Sequence, residues 1–182
     1  MAAAIDVIAD VGFAQASLAR IARHAGISKG LISYHFAGKE ELMTEVVVVT
    51  YTAIADHVLA AMKGVESPRE LLRTHVLSVA AYMRGQRKGL KALGEIFGNL
   101  RDADGRARFG IRTNEEIYRS LEDIYRAGQA TGEFRDFDVR VMAVTHSAAV
   151  DAMFGYWVVH PEHDLDEHAR QLADLLERAC VT

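Results

Sequence analysis

An all-α fold of about nine helices follows from three features of the sequence. Apolar residues recur at helical spacing through several long stretches, and only two prolines interrupt the 182 residues. No run of alternating β-branched residues is bounded by hairpin turns. Half the residues are hydrophobic, enough for a sizeable core in one domain or two small ones.

The elements follow in order. A first helix is expected over residues 2–11, burying Ile5, Ile8 and Ala9 and ending at Gly12, a residue that takes the left-handed conformation common at helix exits. Phe13 then plugs a small core. Residues 17–39 carry the strongest local signal: Leu18, Ile21, Ala22 and Ala25 fall at helical spacing, Gly26 permits a tight bend, and Ser28 caps a second short helix. This is a helix-turn-helix pattern, in which the first helix crosses a DNA backbone and the second enters the major groove. Ser28, Lys29, Gly30, Ser33, Tyr34 and His35 suit a groove-facing surface because they are short, polar or basic. Leu31, Ile32 and Phe36 suit the underside, with the choice between Leu31 and Ile32 for the more exposed position left open.

Charge supports this reading. Residues 12–39 hold Arg20, Arg23, Lys29 and Lys39 and no acidic residue, which is +4 in a chain of formal charge −4, so the remainder carries −8. A local positive face on an acidic protein fits a site-directed phosphate contact rather than a nonspecific coat on nucleic acid.

The run from Gly26 to Leu42, Gly-Ile-Ser-Lys-Gly-Leu-Ile-Ser-Tyr-His-Phe-Ala-Gly-Lys-Glu-Glu-Leu, preceded by Gly12-Phe13 and by Ser17-Leu-Ala-Arg-Ile-Ala-Arg-His-Ala25, resembles the DNA-binding domain of the tetracycline repressor (TetR) family. The resemblance covers the first quarter of the chain. It implies a three-helix DNA-binding head at residues 1–44 and a helical ligand-binding and dimerisation body at 45–182. It further implies a homodimer that occupies a palindromic double-stranded operator and represses transcription until a small-molecule effector binds. Carried over by position, Ser17 caps the second helix near a phosphate, Lys29 and Gly30 approach base edges, Ser33, Tyr34 and His35 face the groove or its walls, and Lys39 lies beside a phosphate. Family members usually begin with a basic arm, whereas this sequence opens at Met1-Ala-Ala-Ala inside the first helix. Many also carry an aromatic residue at the position of Ser33, so the Ser-Tyr-His-Phe order shifts which side chain reaches which atom.

Beyond the head, a fourth helix is expected over residues 39–63, with Leu42, Val46, Val49, Ala53 and Leu59 or Ala60 facing inward. Ser67 and Pro68 start a fifth, at 68–84. Residues 85–89 read as a basic link containing Arg87 and Lys88, either a further DNA patch or a solvated loop. A sixth helix is expected at 90–101, a seventh at 107–130, an eighth starting from Asp136 or Asp138 and running to 159, where His160-Pro161 stops it, and a ninth at 165–179.

The eighth helix shows two faces. Ala148, Ala152 and Gly155 are small enough for a partner helix to approach closely, and with Leu172, Leu176 and Ala179 of the ninth they predict a four-helix dimer interface, the alternative being an intrachain pair. His146, Val150, Met153 and Trp157 form a bulky stripe which, with Leu93, Phe97 and Tyr118, is expected to line an effector pocket; the alternative is a packed core with one hydrogen-bonded histidine. Asp151, in mid-helix, is read either as touching solvent or as meeting a cationic effector or the dimer partner.

Chemistry of other kinds finds no pattern. Glycine-rich phosphate loops, the Gly-x-Ser-x-Gly elbow and the His-Glu-x-x-His pair are missing from the sequence, so neither an enzyme nor a cofactor is expected. His160, His163 and His168 have irregular spacing for a metal site, and no metal is predicted. Cys180 is the single cysteine. No signal-peptide pattern and no apolar run of about 18 residues are read, which gives the cytoplasm and no membrane partner as the expectation. The alternative function is a small-molecule binding protein whose DNA-binding head is weakened or lost.

Overall fold

The computed structural model describes residues 1–181; Thr182, the last residue of the expected body, lies outside them. Among the described residues there are nine α-helices and one short 3-10 turn: α1 (Ala2–Gln15), α2 (Leu18–Ala25), α3 (Lys29–His35), α4 (Lys39–Met62), α5 (Pro68–Met83), α6 (Arg87–Asn99), the turn at Ile111–Thr113, α7 (Glu115–Thr131), α8 (Val139–Val159) and α9 (Leu165–Cys180). The all-α prediction stands. The helix starts agree with local capping chemistry: Ser17, Ser28, Ser67 and Asp138 each accept a backbone N–H from the first turn that follows them.

The chain divides into two compact units, residues 1–53 with 86–110, and residues 54–85 with 111–182. A single cut at residue 44 therefore does not describe the chain, because α6 belongs with the head. In the first unit Val7, Ile8, Ile21, Ile32, Met43, Val46, Leu93, Ile96 and Leu100 form one buried cluster. Lys88 at the start of α6 pairs with Asp6 (3.0 Å) and Asp10 (3.8 Å) of α1. The second half of the expected basic link at 85–89 is thus the first turn of α6, paired with α1 through Lys88.

Gly12 interrupts α1 with φ 78° and ψ 165°, a conformation that glycine adopts without steric cost. The backbone N–H of Phe13, freed by that kink, donates to the Glu95 carboxylate of α6 at 2.8 Å. Burial on α4 is concentrated in its first half, with Val58 the one buried residue of the second. Leu42, Met43, Val46 and Val47 are buried, whereas Val49 and Leu59 are 41% and 63% exposed and Ala60 is exposed too. The inward stripe predicted through Val49 and Leu59 or Ala60 is corrected to these four residues and Val58. Among the described residues α4 is the one helix long and apolar enough to cross a membrane, but part of its first half is in use as core.

In the second unit α5 packs on α7 and α9, and α8 packs on α7 and α9. Ionic contacts tie the helices together: Arg69 and Arg73 of α5 reach Glu177 of α9, and Arg140 of α8 binds Glu115 of α7 at 2.9 and 3.0 Å while also meeting the buried Glu122. Residues 107–114, expected inside α7, form no α-helix. Gly110 there has a φ of 131°, outside the helical region, as does Gly105 just before the segment with 76°.

Candidate nucleic-acid interface

The head is assembled by short-range rules. Ser17 Oγ accepts the Arg20 N–H at 3.2 Å and Ser28 Oγ accepts the Leu31 N–H at 3.1 Å, so both hydroxyls start helices while their own protons remain available as donors. Gly26, with φ 68° and ψ 27°, closes α2 in the left-handed conformation. Ile32 is the residue that anchors α3, at 6% exposure, and Leu31 turns outward at 47%. This resolves the choice that the sequence left open, and it adds Leu31 to the outer surface.

Successive residues on α3 rotate by about 100°. Gly30 and Tyr34 therefore form the outermost ridge opposite Ile32, with Lys29 and Ser33 along one side and Leu31 and His35 along the other. Lys29, Gly30, Ser33, Tyr34 and His35 are all exposed, Tyr34 most of all at 83%. The structure brings these five together on one face, next to the exposed Ser28.

Lys39 differs from the expectation. Its ammonium group donates to the carbonyl of Phe13 and to that of Ala14 at 3.3 Å, and lies 4.2 Å from the Phe13 ring centroid. Half-burial lowers its pKa by desolvation. In this arrangement Lys39 closes the corner between α1 and α4 rather than extending free toward a phosphate. Both carbonyls belong to the last turn of α1, after the Gly12 kink, where helical carbonyls are left with spare acceptor capacity.

The expected effector residues separate. Leu93 is buried in the first unit, and Phe97 is half-buried there, stacked on Tyr51 and Phe109 with centroids 6.1 and 5.7 Å away. Tyr118, His146, Val150, Met153 and Trp157 belong to the second unit and are 9% exposed or less. His146 does not keep a polar atom free to orient a ligand: Nδ1 lies 3.0 Å from the Tyr125 hydroxyl, and Nε2 lies 3.2 Å from Nδ1 of His75. The packed-core alternative describes His146. The sequence offered a signal for this network only in retrospect, as a histidine inside the apolar stripe of α5.

The small-residue face of α8 is exposed as expected at Ala148, Ala152 and Gly155, and Ala179 is exposed on α9. Leu172 and Leu176, at 8% and 5% exposure, are not available to a partner; they are covered within the second unit, where α9 packs on α5 and α8. Leu175, 64% exposed, lies on the outer side instead. Asp151 also reaches solvent, with its carboxyl pKa raised by the partial desolvation it meets on α8. At the turn between α8 and α9, His163 Nε2 lies 2.8 Å from His168 Nδ1. Among the described residues no group of three or more histidine, cysteine, aspartate or glutamate side chains is placed to hold a metal ion.

A capped pair of short helices bent at a left-handed glycine, anchored through one face and bare on the other, is a helix-turn-helix domain of the DNA-binding type. Residues 1–46 match the family described as bacterial regulatory proteins, tetR family, a match that takes in this head and stops at the start of α4. The chain is 43% identical over 72 residues to the HTH-type transcriptional regulator BetI 1 of Chromohalobacter salexigens, a match to 39% of this chain and 36% of that relative. The chain thus aligns with about a third of the length of such curated relatives. The fold extends further. The fatty acid degradation regulator FadR from Bacillus halodurans superposes with a TM-score of 0.83 at 20% identity, over 97% of this chain and 95% of that one. FadR from Bacillus subtilis, solved in complex with stearoyl-CoA, gives 0.78 at 22% identity over 96% and 94%.

Proposed function

We propose that the chain is a dimeric, cytoplasmic transcriptional regulator that occupies a palindromic operator through α3 and is released from it by a small-molecule effector. The observation that carries the reading is the exposed face of α3, where Lys29, Ser33, Tyr34 and His35 stand around the side-chain-free Gly30 in a 28-residue stretch without an acidic residue. Basic and hydroxyl groups on one convex helix suit base edges and phosphates.

Dimerisation supplies the second half-site. On α8, Val141, Val144, Ala148, Ala152, Gly155 and Val159 share one exposed face, and its small central residues suit close helix packing. With Leu175 and Ala179 of α9 this face is the proposed interface, and a twofold axis through it would present two heads to half-sites about 34–36 Å apart. The effector site is proposed for the second unit, beside Tyr118, Val150, Met153 and Trp157. An effector acts by binding more tightly to the state of the dimer that does not fit the operator.

The test is a gel-shift titration on the DNA upstream of the chain's own coding region, at several salt concentrations. Nanomolar binding that falls steeply with salt is expected, and Lys29→Ala should relax sequence preference. Weak, salt-insensitive binding together with tight metabolite binding in a thermal-shift screen would overturn operator occupancy in favour of a ligand-binding protein with a weakened head.

A further inference from the structure

We propose that Leu31 reads the C5 methyl group of a thymine in the major groove, which makes it a specificity-determining residue; the inference rests on the DNA-binding reading above. Thymine is the base that presents an apolar group on the major-groove edge, so an apolar side chain on the entering helix discriminates for it.

Three observations converge on Leu31. It is 47% exposed while its neighbour Ile32 is 6% exposed, so anchoring α3 requires Ile32 and makes no comparable use of Leu31. A single exposed leucine is ordinary on a protein surface. This one belongs to a short helix whose outer residues are all exposed, Tyr34 at 83%, with the large apolar Ile27 at 42% exposure in the turn before it.

Gly30, immediately before it, is the second observation. Glycine is a poor helix former, yet the residue is helical, and a Cβ there would meet nothing nearer than Ser28 Oγ at 3.8 Å. Nothing within the protein requires the missing side chain. The bare ridge leaves room for a surface approaching from outside and would let the helix sit deep enough for the adjacent leucine to reach the groove floor.

The third is position. Leu31 and His35 form one flank of the exposed face and Lys29 and Ser33 the other, with the Gly30–Tyr34 ridge between them. Polar base edges fall to one flank and an apolar contact to the other, a division that a uniformly polar phosphate-binding helix would not need.

The experiment selects duplexes from a random library with the full-length protein. In the enriched sequence each thymine is then replaced, one at a time, by deoxyuridine, which removes only the methyl group. One position per half-site should weaken wild-type binding about four-fold, the equivalent of one buried methyl group. Leu31→Ala should bind the parent duplex less tightly by a similar factor and show no additional loss at that deoxyuridine, while melting at the wild-type temperature. Leu31→Met, which keeps an apolar tip, should retain the sensitivity. Indifference to every deoxyuridine, an enriched site without thymine, or a Leu31→Ala protein that still loses four-fold would overturn the assignment alone. Enrichment of no sequence at all would overturn the DNA-binding reading and this inference with it.

Discussion

The Tyr125 hydroxyl lies 3.0 Å from His146 Nδ1 in the interior of the second unit, both residues 1% exposed, and this contact fixes the polarity of a short hydrogen-bond chain. If the phenol donates to Nδ1, His146 Nε2–H donates to His75 Nδ1 at 3.2 Å and the Tyr125 and His146 protons both have acceptors. The reverse order would leave the Tyr125 proton to find another acceptor in the core. Burial raises the Tyr125 pKa, so the phenol keeps its proton at physiological pH.

Tyr125→Phe removes the donor at the head of this chain and leaves Nδ1 of His146 unsatisfied. The variant should lose about 1–3 kcal/mol in urea unfolding. An unchanged midpoint would show that the phenol is not part of the chain.

The two histidines also give a pH dependence. Burial lowers His75 to about 4 and holds His146 well below its ordinary value, the charge of His75 adding to the effect. In the unfolded chain both rings titrate near 6.5, so on acidification the unfolded state takes up protons before the folded state does. Stability is therefore full above about pH 6.5 and falls between there and about pH 4, with a slope approaching about 1.4 kcal/mol per pH unit for each ring. Melting temperatures recorded from pH 7.5 to 5 should decline, and the decline should flatten in a variant with both histidines replaced by glutamine. A flat wild-type profile would contradict the buried neutral pair.

Lys39→Met deletes the hydrogen bonds to the Phe13 and Ala14 carbonyls and the contact with the Phe13 ring. The expected cost is about 1–2 kcal/mol, seen as a melting temperature lower by a few degrees in the absence of DNA. A variant that melts normally but binds all DNA sequences more weakly would instead return Lys39 to the phosphate role read from the sequence.

Gly128 lies against the ring of Phe134, and a Cβ at this position would overlap that ring. Gly128→Ala should destabilise by about 1–3 kcal/mol through overpacking, although alanine is the better helix former. Phe134→Leu in the same background should recover part of the loss; equal destabilisation with and without that second change would place the cause elsewhere.

Ala152→Arg inserts a charged side chain into the exposed small-residue face of α8. Sedimentation velocity should show a monomer with unchanged helicity where the parent chain is a dimer. An arginine variant that still dimerises would move the interface away from this face.

Much of the molecule was legible from short stretches. The serine caps, the glycine exits and the apolar spacing of each helix involve residues within about one turn of one another, and those bonds form wherever the chain goes. The exposure of Ser28, Lys29, Gly30, Ser33, Tyr34 and His35 was legible because exposure on a seven-residue helix is set by the one residue that anchors it. The body was harder. The periodicity of α9 marks Leu172 and Leu176 as one face but cannot say whether α5 of the same chain or a second chain covers it.

The sequence by itself determined that this protein is helical, where most of its helices start, and which surface of the head is basic and bare. Only the tertiary structure decided that α6 joins the head, that Lys39 is held by α1, and that His146 is occupied by neighbours. These outcomes depend on contacts between residues far apart in the chain, 82 positions for Phe13 with Glu95 and 71 for His75 with His146. Such pairs carry no local signature, because each partner is chosen by packing against the whole core and not by the residues beside it.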